Sequence, residues 1–474
     1  MEEIPLVVDL DGTLLRSDLL VESGLVFMRD QPHRLHLLPR WWARGKAALK
    51  QELAQATQID VTVLPYNNPV IELINTERSR GRKVVLATAS HLRLAEQVAA
   101  HLKLFDEVIA TTGDRNLSAK VKRDALIEHF GERGFDYAGN SHDDLPVWGS
   151  ARQAHVVDAS AAVERKARAL GNVAGVIQTP RAGLQEWTRA LRLHQWLKNL
   201  LIFVPLLAAH RHTEWPLILD AVLAFVAFGL CASSVYILND LLDIQDDRHH
   251  TSKRSRPFAS GHLSIQSGLV AFPTLLLAAF GMALWQLPKA FTIGLGCYYV
   301  LTLAYSLWLK RRAVIDVIVL AALYTLRIIV GAVALEIPLS FWLLAFSMFM
   351  FLSLALVKRY AELFHVRSNG NGDKARGRGY FASDLSMIAS LGAASGYMAV
   401  MVLALYINDP RTTQLYQHPQ FIWLACPLLL TWISRVWMLA HRGTMNEDPV
   451  IFAVSDRFSL SIGALVAMVF WAAL

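Results

Sequence analysis

Apolar and polar positions divide the chain into two parts of different character. From about residue 196 onward the chain consists mostly of uninterrupted apolar runs of membrane-spanning length, separated by short polar loops. Before about residue 185 the apolar runs are short and alternate with charged segments, as expected for a domain that folds in water. The pattern therefore predicts a soluble domain over residues 1–185 and an all-helical, polytopic membrane domain over residues 186–474.

The membrane part contains nine candidate spans, of which the first and the last are short. They cover residues 198–212, 217–238, 266–287, 290–309, 314–336, 339–357, 386–407, 419–440 and 458–474. Lysine and arginine are concentrated in the loops at the end of the spans that faces the N-terminal domain. Because basic loops stay in the cytoplasm, we expect an inner-membrane protein with a cytoplasmic N-terminal domain. The N-terminus lacks the basic and long apolar regions of a signal peptide, so none is expected.

Net charge and cysteines add little to this picture. The formal net charge is +7, and membrane orientation together with phosphate binding accounts for it, so no nucleic-acid partner is expected. Cys231, Cys297 and Cys426 lie inside apolar runs without a CxxC pattern. They are predicted to be small buried side chains, not disulfides or metal ligands.

A cluster of acidic residues follows the second span, in the stretch "YILNDLLDIQDD". If the helix continues through it, Asp240, Asp243 and Asp247 fall on one face, Asn239 flanks them and Asp246 points away. Carboxylates crowded at membrane depth repel one another and cost desolvation energy. A hard divalent cation such as Mg²⁺ would remove that conflict. The alternative is a solvated acidic helix end followed by an ordinary basic loop.

The same stretch resembles the NDxxDxxxD motif of the UbiA superfamily of intramembrane prenyltransferases. The resemblance covers residues 186–474 and implies nine helices, with Mg²⁺ holding a diphosphate whose departure creates an electrophilic carbon. It implies that Asn239, Asp240, Asp243 and Asp247 hold the metal and that Asp240 and Asp243 are catalytic. Lys253, Arg254 and Arg256 follow directly and suit phosphate oxygens.

The second acidic motif of that family is incomplete here. The stretch "YSLWLKRRAVIDVIVLAALYTLRIIVGAVAL" has a single carboxylate, Asp316, with Leu320 four residues on. This departure disfavours a two-metal aromatic prenyltransferase. Arg327 lies on the face of Asp316, deep in its span, where an unpaired guanidinium is costly. It is predicted to bind substrate, or alternatively to pair with an acid on another helix.

This region resembles the polyprenyl-phosphate (decaprenyl-phosphate) phosphoribosyltransferase branch of the family, as do "LRLHQWLKNLLIFVPLLAAH", "ALVKRYAEL" and "EDPVIFAVSDR". The branch implies that phosphoribosyl diphosphate is the donor, a polyprenyl phosphate is the nucleophile, and the product is polyprenyl-phosphate-ribose 5-phosphate. The substrate-binding residues expected on this basis are Lys198, Asn239, Lys253, Arg254, Arg256, Tyr305, Lys310, Asp316, Arg327, Lys358 and Arg359. Arg311 and Arg312 are interpreted as membrane anchors.

The soluble part opens with the strand-like stretch "IPLVVDLDGT". It delivers Asp9 and Asp11 to one side of a tight turn at Gly12. One carboxylate could attack phosphorus while the other handles protons, provided that a metal offsets their repulsion. The stretch resembles the haloacid dehalogenase superfamily, which implies a doubly wound α/β phosphatase fold with a helical cap, here at about residues 15–75.

Further motifs of that superfamily follow in order, over about residues 3–180. "KVVLATAS" would supply Thr88 to bind the phosphoryl group, and "SAKVKRDALIEHFG" would supply Lys122 or Lys120 as its positive partner. "FDYAGNSHDDLPVW" would place Asp144 near Mg²⁺, with Asp9 and Asp11. Asn140 stands where the family has a carboxylate; its amide oxygen can still ligate Mg²⁺, but more weakly. Both an active and an inactive phosphatase domain remain open.

The two resemblances together predict a transferase whose lipid-linked ribose 5-phosphate is dephosphorylated by the attached domain, with Mg²⁺ in both. One alternative is a prenyltransferase that joins a polyprenyl diphosphate to an aromatic or other acceptor. Another is a non-catalytic membrane protein that binds lipid or transports. In the cap, "HRLHLLPRWWARGKAALKQELA" could lie on the anionic membrane face or form a plain amphipathic helix, which we favour.

Overall fold

The computed structural model describes residues 4–113, 115–179, 183–368, 378–409, 415–445 and 448–474. The chain divides into two compact units. The first unit comprises Met1–Leu191 and Tyr236–Phe272, and the second comprises Arg192–Val235 and Pro273–Leu474. The segment after the second predicted span thus packs with the N-terminal domain, while the boundary near residue 185 stays a prediction.

The first unit is built on a six-stranded parallel sheet in the order β3-β2-β1-β4-β5-β6. Its strands are β1 Leu6–Val8, β2 Val84–His91, β3 Glu107–Thr111, β4 Asp136–Gly139, β5 Ala154–Val157 and β6 Val173–Ile177. Alternate residues of β1 serve opposite cores, because Leu6 and Val8 pack on one face of the sheet and Val7 on the other. The order reverses between β1 and β4, the place where doubly wound folds bind ligands.

Helices cover both faces of this sheet. They are α1 Leu19–Asp30, α2 Leu38–Ala43, α3 Lys46–Ala56, α4 Asn68–Ser79, α5 Leu92–Leu102, α6 Ala119–Phe130, α7 Leu145–Ser150, α8 Ala161–Arg168 and α9 Leu184–Leu191. The connection between β1 and β2 contains α1–α4, joined by loops and short 3₁₀ turns and without a named strand. The structure thus has helices where a helical cap was predicted, and the bounds of that cap, about residues 15–75, stay a prediction. Within it, Trp41 packs on Phe27 with ring centroids 5.1 Å apart.

The membrane part is helical throughout its described elements. A 3₁₀ helix Leu193–Phe203 precedes α10 Val204–Ala208, α11 Trp215–Leu242, α12 Ile244–His249, α13 Ile265–Gln286, α14 Lys289–Leu307, α15 Ile315–Ala334, α16 Phe341–Ser368, α17 Leu385–Ile407, α18 Ala425–His441, α19 Pro449–Ser455 and α20 Arg457–Ala473. Among the described residues, seven helices are long and apolar enough to cross a membrane, or eight if α19 and α20, bent by 76°, form one span. The first predicted span is only a short apolar helix, Leu193–Ala208, so nine is reached only by including it.

Two local predictions need correction. The helix does not run unbroken through the acidic stretch: α11 ends at Leu242, and Asp243, with φ −93° and ψ 12°, is the N-cap of α12. Cys231 and Cys426 are buried as predicted, but Cys297 is exposed. It lies on the outward face of α14 with Ile293 and Val300, one helical turn to either side, which are also exposed.

A buried ion pair joins the acidic segment to α1 within the first unit. Nη1 and Nη2 of Arg248 each donate to the carboxylate of Glu22 at 2.8 Å, and Nε2 of Gln245 donates to it at 2.9 Å. Glu22 and Arg248 are almost fully buried. At the surface, Arg29 pairs with Asp246 at 2.5 Å. Asp246, predicted to point away from the acidic face, is therefore a docking residue.

Candidate functional site

The carboxyl ends of β1 and β4 carry the acidic residues of the first unit. Asp9 and Asp11 follow β1, and Asn140 follows β4. Gly12 turns the chain directly after Asp11, with φ +75°. A Cβ atom at Gly12 would lie 2.1 Å from Nδ2 of Asn140, so only glycine allows this close approach. The fold thus brings the predicted residues Asp9, Asp11 and Asn140 to one edge of the sheet.

Lys122 of α6 supplies the positive charge at this edge. Its Nζ donates to Oδ1 of Asp9 at 2.6 Å and to the hydroxyl of Tyr137 at 2.9 Å. Burial opposes the charge of Lys122, but the neighbouring Asp9 and Asp144 outweigh it and raise the pKa of Lys122. Lys120, the predicted alternative, is exposed. The structure therefore selects Lys122 as the partner of Asp9.

Asp144 is turned toward its own loop and toward Lys122. Its oxygens accept hydrogen bonds from the hydroxyl of Tyr137 at 2.7 Å, the main-chain N–H of Asn140 at 3.0 Å and that of Ser141 at 2.9 Å. Its Oδ1 lies 3.6 Å from Nζ of Lys122. This geometry orients the lysine, and metal ligation by Asp144 stays a prediction.

Asp11 is held by β2 and by the start of α1. Its carboxylate accepts from Oγ of Ser90 at 2.6 Å and from the main-chain N–H of Leu19 at 2.9 Å. The hydroxyl of Thr88, the predicted phosphoryl ligand, is 3.4 Å away. Thr88 is fully buried, whereas Ser90 lines the cavity in front of Asp11. Ser90 was missed, although its place at the end of the same strand-like motif offered the signal.

The residues at this edge fit a magnesium ion. Burial raises the pKa of Asp9 to about 6 against the opposing effect of Lys122, and burial together with the charge of Asp18 raises the pKa of Asp11 to about 7. Two carboxylates in such surroundings favour a bound cation. The described residues contain no cluster of three or more His, Cys, Asp or Glu side chains arranged for a metal. The fit therefore rests on Asp9, Asp11 and the amide oxygen of Asn140, which are hard ligands of the kind Mg²⁺ prefers.

The acidic stretch after α11 also lies in the first unit. Nη1 of Arg256 donates to Oδ1 of Asp240 at 3.0 Å and to Oδ2 of Asp247 at 2.6 Å. Because both buried carboxylates converge on one nitrogen, they share a side as predicted, despite the break at Asp243. Burial raises the pKa of Asp247 even though Arg256 acts to lower it. A divalent cation on the same oxygens could take the place of Arg256, which fits Mg²⁺.

The three basic residues that were predicted to bind phosphate near this stretch differ in their contacts and exposure. Arg256 binds carboxylates, whereas Lys253 and Arg254 are exposed. Asn239 and Asp243 lie in the same stretch, and the main-chain N–H of Asp243 donates to the carbonyl of Asn239 at 2.9 Å. Roles of these residues in metal or phosphate binding stay predictions.

In the second unit, two predicted cations share one carboxylate. Nζ of Lys198 and Nζ of Lys358 lie 2.7 and 2.9 Å from Oδ2 of Asp448. The hydroxyl of Tyr324 donates to the same carboxylate at 3.3 Å. Lys198, from the first short helix, and Lys358, from α16, are thus brought together with positive charge in excess.

Arg327 is held among aromatic rings. Its guanidinium donates to Oδ1 of Asn199 at 3.0 Å, to the carbonyl of Leu323 at 2.6 Å and to the hydroxyl of Tyr298 at 3.2 Å. It also lies 5.1 and 5.4 Å from the ring centres of Tyr298 and Tyr324. These acceptors are an amide, a main-chain carbonyl and a hydroxyl, so the predicted alternative, in which Arg327 pairs with an acid on another helix, is not what these contacts show.

Asp316 belongs to a separate network. It is fully buried, lies 2.5 Å from Nε of Arg359, and accepts a hydrogen bond from the hydroxyl of Tyr380 at 2.7 Å. Nη2 of Arg359 donates in turn to the hydroxyl of Tyr305 at 3.0 Å. Lys310 is half-buried after α14. Tyr298 and Tyr324 were missed, since tyrosine in an apolar run gives no distinct signal, and Tyr380 was missed at the end of a polar, basic stretch.

Comparisons with known proteins agree with both halves of this picture. Residues 200–462 match the UbiA prenyltransferase family and residues 6–148 match the haloacid dehalogenase-like hydrolases. An uncharacterized protein of Sinorhizobium fredii, y4nM, is 38% identical over 99% of this chain and 90% of its own length. The decaprenyl-phosphate phosphoribosyltransferase of Mycolicibacterium smegmatis is 35% identical over 60% of this chain and 92% of its own.

Among solved structures, a UbiA homolog from Archaeoglobus fulgidus bound to DMAPP and Mg²⁺ covers 60% of this chain and 98% of its own, at 15% identity and a TM-score of 0.46. The membrane helices, the matched residues and the identity to the mycobacterial relative lead to one conclusion. The chain belongs to the UbiA prenyltransferase family, as an integral membrane enzyme with a haloacid dehalogenase-like domain preceding its membrane domain.

Proposed function

We propose that the membrane domain transfers the 5-phosphoribosyl group of phosphoribosyl diphosphate to a polyprenyl phosphate. The lipid phosphate oxygen attacks the anomeric carbon, the bond from that carbon to the diphosphate breaks, and diphosphate leaves. The N-terminal domain then hydrolyses the 5-phosphate of the lipid-linked product. Both domains act on the cytoplasmic side of the inner membrane, where the soluble donor is available.

Two lysines that share one carboxylate in the second unit carry this proposal. Nζ of Lys198 and Nζ of Lys358 both bind Asp448, whereas Arg359 and Arg378 are balanced by Asp316 and Glu362. A donor with several phosphate groups supplies the negative charge that the lysine pair lacks. A prenyl diphosphate with an apolar tail and an aromatic acceptor requires fewer cations.

The acidic stretch would bind the diphosphate through metal. Asn239, Asp240, Asp243 and Asp247 would hold Mg²⁺, which supplies a Lewis acid that neutralises the departing diphosphate. Arg256 holds Asp240 and Asp247 together, so their carboxylates are already oriented toward a common point. Preorganised charge of this kind lowers the cost of binding the leaving group.

The phosphatase step follows from the environments of Asp9 and Asp11. Lys122 stabilises the ionised carboxylate of Asp9, which attacks phosphorus and forms an aspartyl phosphate. Burial keeps the pKa of Asp11 at about 7, so that Asp11 can give its proton to the leaving sugar oxygen. Asp11 then accepts a proton from the water that hydrolyses the aspartyl phosphate. Asn140 and Asp9 would hold the Mg²⁺ while Asp11 carries its proton, and Asp11 could join them as a ligand once it is ionised.

A lipid-labelling assay tests the transfer. The detergent-purified full chain is incubated with phosphoribosyl diphosphate labelled in the ribose, a polyprenyl monophosphate and Mg²⁺, and lipids are extracted. Label should enter the organic phase, and Asp240→Asn should abolish it. Asp246→Asn is the matched control, since Asp246 lies in the same stretch but pairs with Arg29 at the surface. It should retain transfer.

The alternatives give different outcomes in the same assay. If label enters the lipid phase only from a labelled polyprenyl diphosphate with an aromatic acceptor, the proposal is wrong and the enzyme is a conventional prenyltransferase. A non-catalytic lipid carrier is disfavoured, because both domains belong to enzyme families.

A further inference from the structure

The cavity in front of Asp9 and Asp11 is larger than a phosphate group needs. Its volume is about 870 Å³, and all the residues that line it belong to the first unit. Asp9, Asp11 and Lys122 form its floor. Part of its wall is formed by residues 261–267, here called the wall segment, which follows the acidic stretch and continues into α13.

The wall segment is fixed to the N-terminal domain. Gly261 has φ +73°, and a Cβ atom there would lie 2.9 Å from Cβ of Arg16 and 3.1 Å from Cβ of Pro65. Upstream, Nε of Arg248 donates to the carbonyl of Ala259 at 2.9 Å while its Nη atoms bind Glu22. The wall is therefore a built part of the cavity, held by close packing and by a buried ion pair.

The same segment leads into a membrane span. α13 begins at Ile265 and is long and apolar enough to cross a bilayer, so Gln266 and Ser267 line the cavity from the first turn of that helix. A substrate that reaches Asp9 past this wall therefore passes the first turn of a candidate membrane span. Access of this kind suits a phosphate ester attached to a lipid.

The cavity also offers cations beyond Lys122. Arg16, Lys46 and Lys50 of the cap region line it. Nε of Arg16 is buried and has no hydrogen-bond partner among the residues that the structure describes. An unpaired buried donor is costly unless a ligand completes it. His262 of the wall segment lies in the same cavity. These groups suit a second anionic group in addition to the phosphate that is cleaved.

We propose that the phosphatase site is selective for a lipid-anchored phosphate monoester that carries a second phosphate, and that His262 and Gln266 are its specificity-determining residues. The monoester phosphate lies at Asp9 and Lys122. The second phosphate, which joins the sugar to the lipid, lies between Arg16 and the wall segment. This inference deepens the proposed function and rests on it for the identity of the sugar, but not for the class of substrate.

The test supplies the substrate directly, so that it does not depend on the transfer step. The full chain in detergent with Mg²⁺ is given a synthetic short-chain polyprenyl-phosphate-ribose 5-phosphate or free ribose 5-phosphate, and phosphate release is measured. The lipid-anchored ester should have the higher kcat/KM. His262→Ala with Gln266→Ala should reduce the ratio of the two kcat/KM values about tenfold, the scale of a hydrogen bond to a charged group.

Controls separate the possible outcomes. His249→Ala, an exposed histidine of the neighbouring stretch that pairs with Asp60, should keep the wild-type ratio, and Asp9→Asn reports contaminating phosphatase. An equal kcat/KM for both esters, or a ratio that the double variant does not change, would overturn the inference. Cleavage of phosphatidic acid, a lipid phosphate monoester without a second phosphate, in preference to the ribose ester would overturn both the second-phosphate site and the proposed function. No release from any ester would overturn both.

Discussion

The two charged regions of this enzyme are out of balance in opposite directions. At the edge of the sheet, Asp9, Asp11 and Asp144 surround Lys122, so carboxylates outnumber cations. In the second unit, Lys198 and Lys358 share the single carboxylate of Asp448, so cations outnumber acids. Buried charge that is left uncompensated by the protein indicates what the ligand must supply. The first region lacks a cation and the second lacks an anion.

The largest loss of activity is expected from changing Asp9, the proposed nucleophile of the phosphatase region. Asp9→Asn removes the nucleophile and should reduce phosphate release from the lipid-linked ester by more than about 10³-fold, since loss of a nucleophile leaves only residual binding effects. Phosphate release by the full chain measures it. Asp124→Asn is the control, because Asp124 is exposed on the same helix as Lys122. A variant that kept a tenth of the activity would show that Asp9 is not the nucleophile.

The second largest effect is expected on donor binding, at the two lysines that share Asp448. Lys358→Gln removes one of the two cations at Asp448 and should raise KM for phosphoribosyl diphosphate about 10- to 100-fold, with a smaller change in kcat, because charge-assisted hydrogen bonds to phosphate are strong. Initial rates at varied donor concentration measure it. The matched variant Arg311→Gln changes an exposed basic residue and should leave KM within about twofold. Equal KM values in both variants would mean that Lys358 does not bind the donor and serves only as one of the basic residues that orient the protein in the membrane.

In contrast to both regions, the buried ion pair of Glu22 and Arg248 has one carboxylate for one cation. Glu22 and Arg248 compensate each other in the first unit. Glu22→Gln leaves a buried guanidinium without its carboxylate and should cost about 3–5 kcal/mol, seen as a lower Tm in detergent. Asp246→Asn breaks only the exposed pair with Arg29 and should cost less than about 1 kcal/mol. Similar Tm values for the two variants would contradict the buried, structural role of Glu22.

Sequence patterns could predict the first region more completely than the second. Asp9 and Asp11 flank one residue at the end of a strand, so their shared side follows from the period of the strand. Asp240 and Asp247 share a side by helical periodicity, and they do so in the structure. The break at Asp243 was not predictable, because a change of one backbone angle leaves the apolar pattern unaltered.

Contacts between distant helices were beyond such patterns. Lys198 and Lys358 were each predicted as substrate-binding cations, but their meeting at Asp448 depends on how three separate helical segments pack. The same holds for Tyr380, whose hydroxyl binds Asp316 from a residue 64 positions away. The wall segment behaves likewise, because only its packing against Arg16 and Pro65 places it in the phosphatase cavity, and no apolar pattern reveals that contact.

The smallest effect is expected from changing Asn140, the neutral residue among the carboxylates at the edge of the sheet. Asn140→Asp restores the carboxylate that the family resemblance implies and adds negative charge where carboxylates are already in excess. The apparent affinity for Mg²⁺ should rise by about tenfold, because an ionised oxygen ligand binds the cation more tightly than an amide, whereas without Mg²⁺ the Tm should fall through repulsion by Asp9 and Asp11. Titrating Mg²⁺ against phosphate release and against Tm measures both. Asn116→Asp adds the same charge to the same cavity beside Lys50, to which Asn116 is bonded at 2.9 Å, and should change neither strongly. If Asn140→Asp left the Mg²⁺ dependence as it is, Asn140 would not be a ligand, and the missing cation of this region would bind to Asp9 and Asp11 without it.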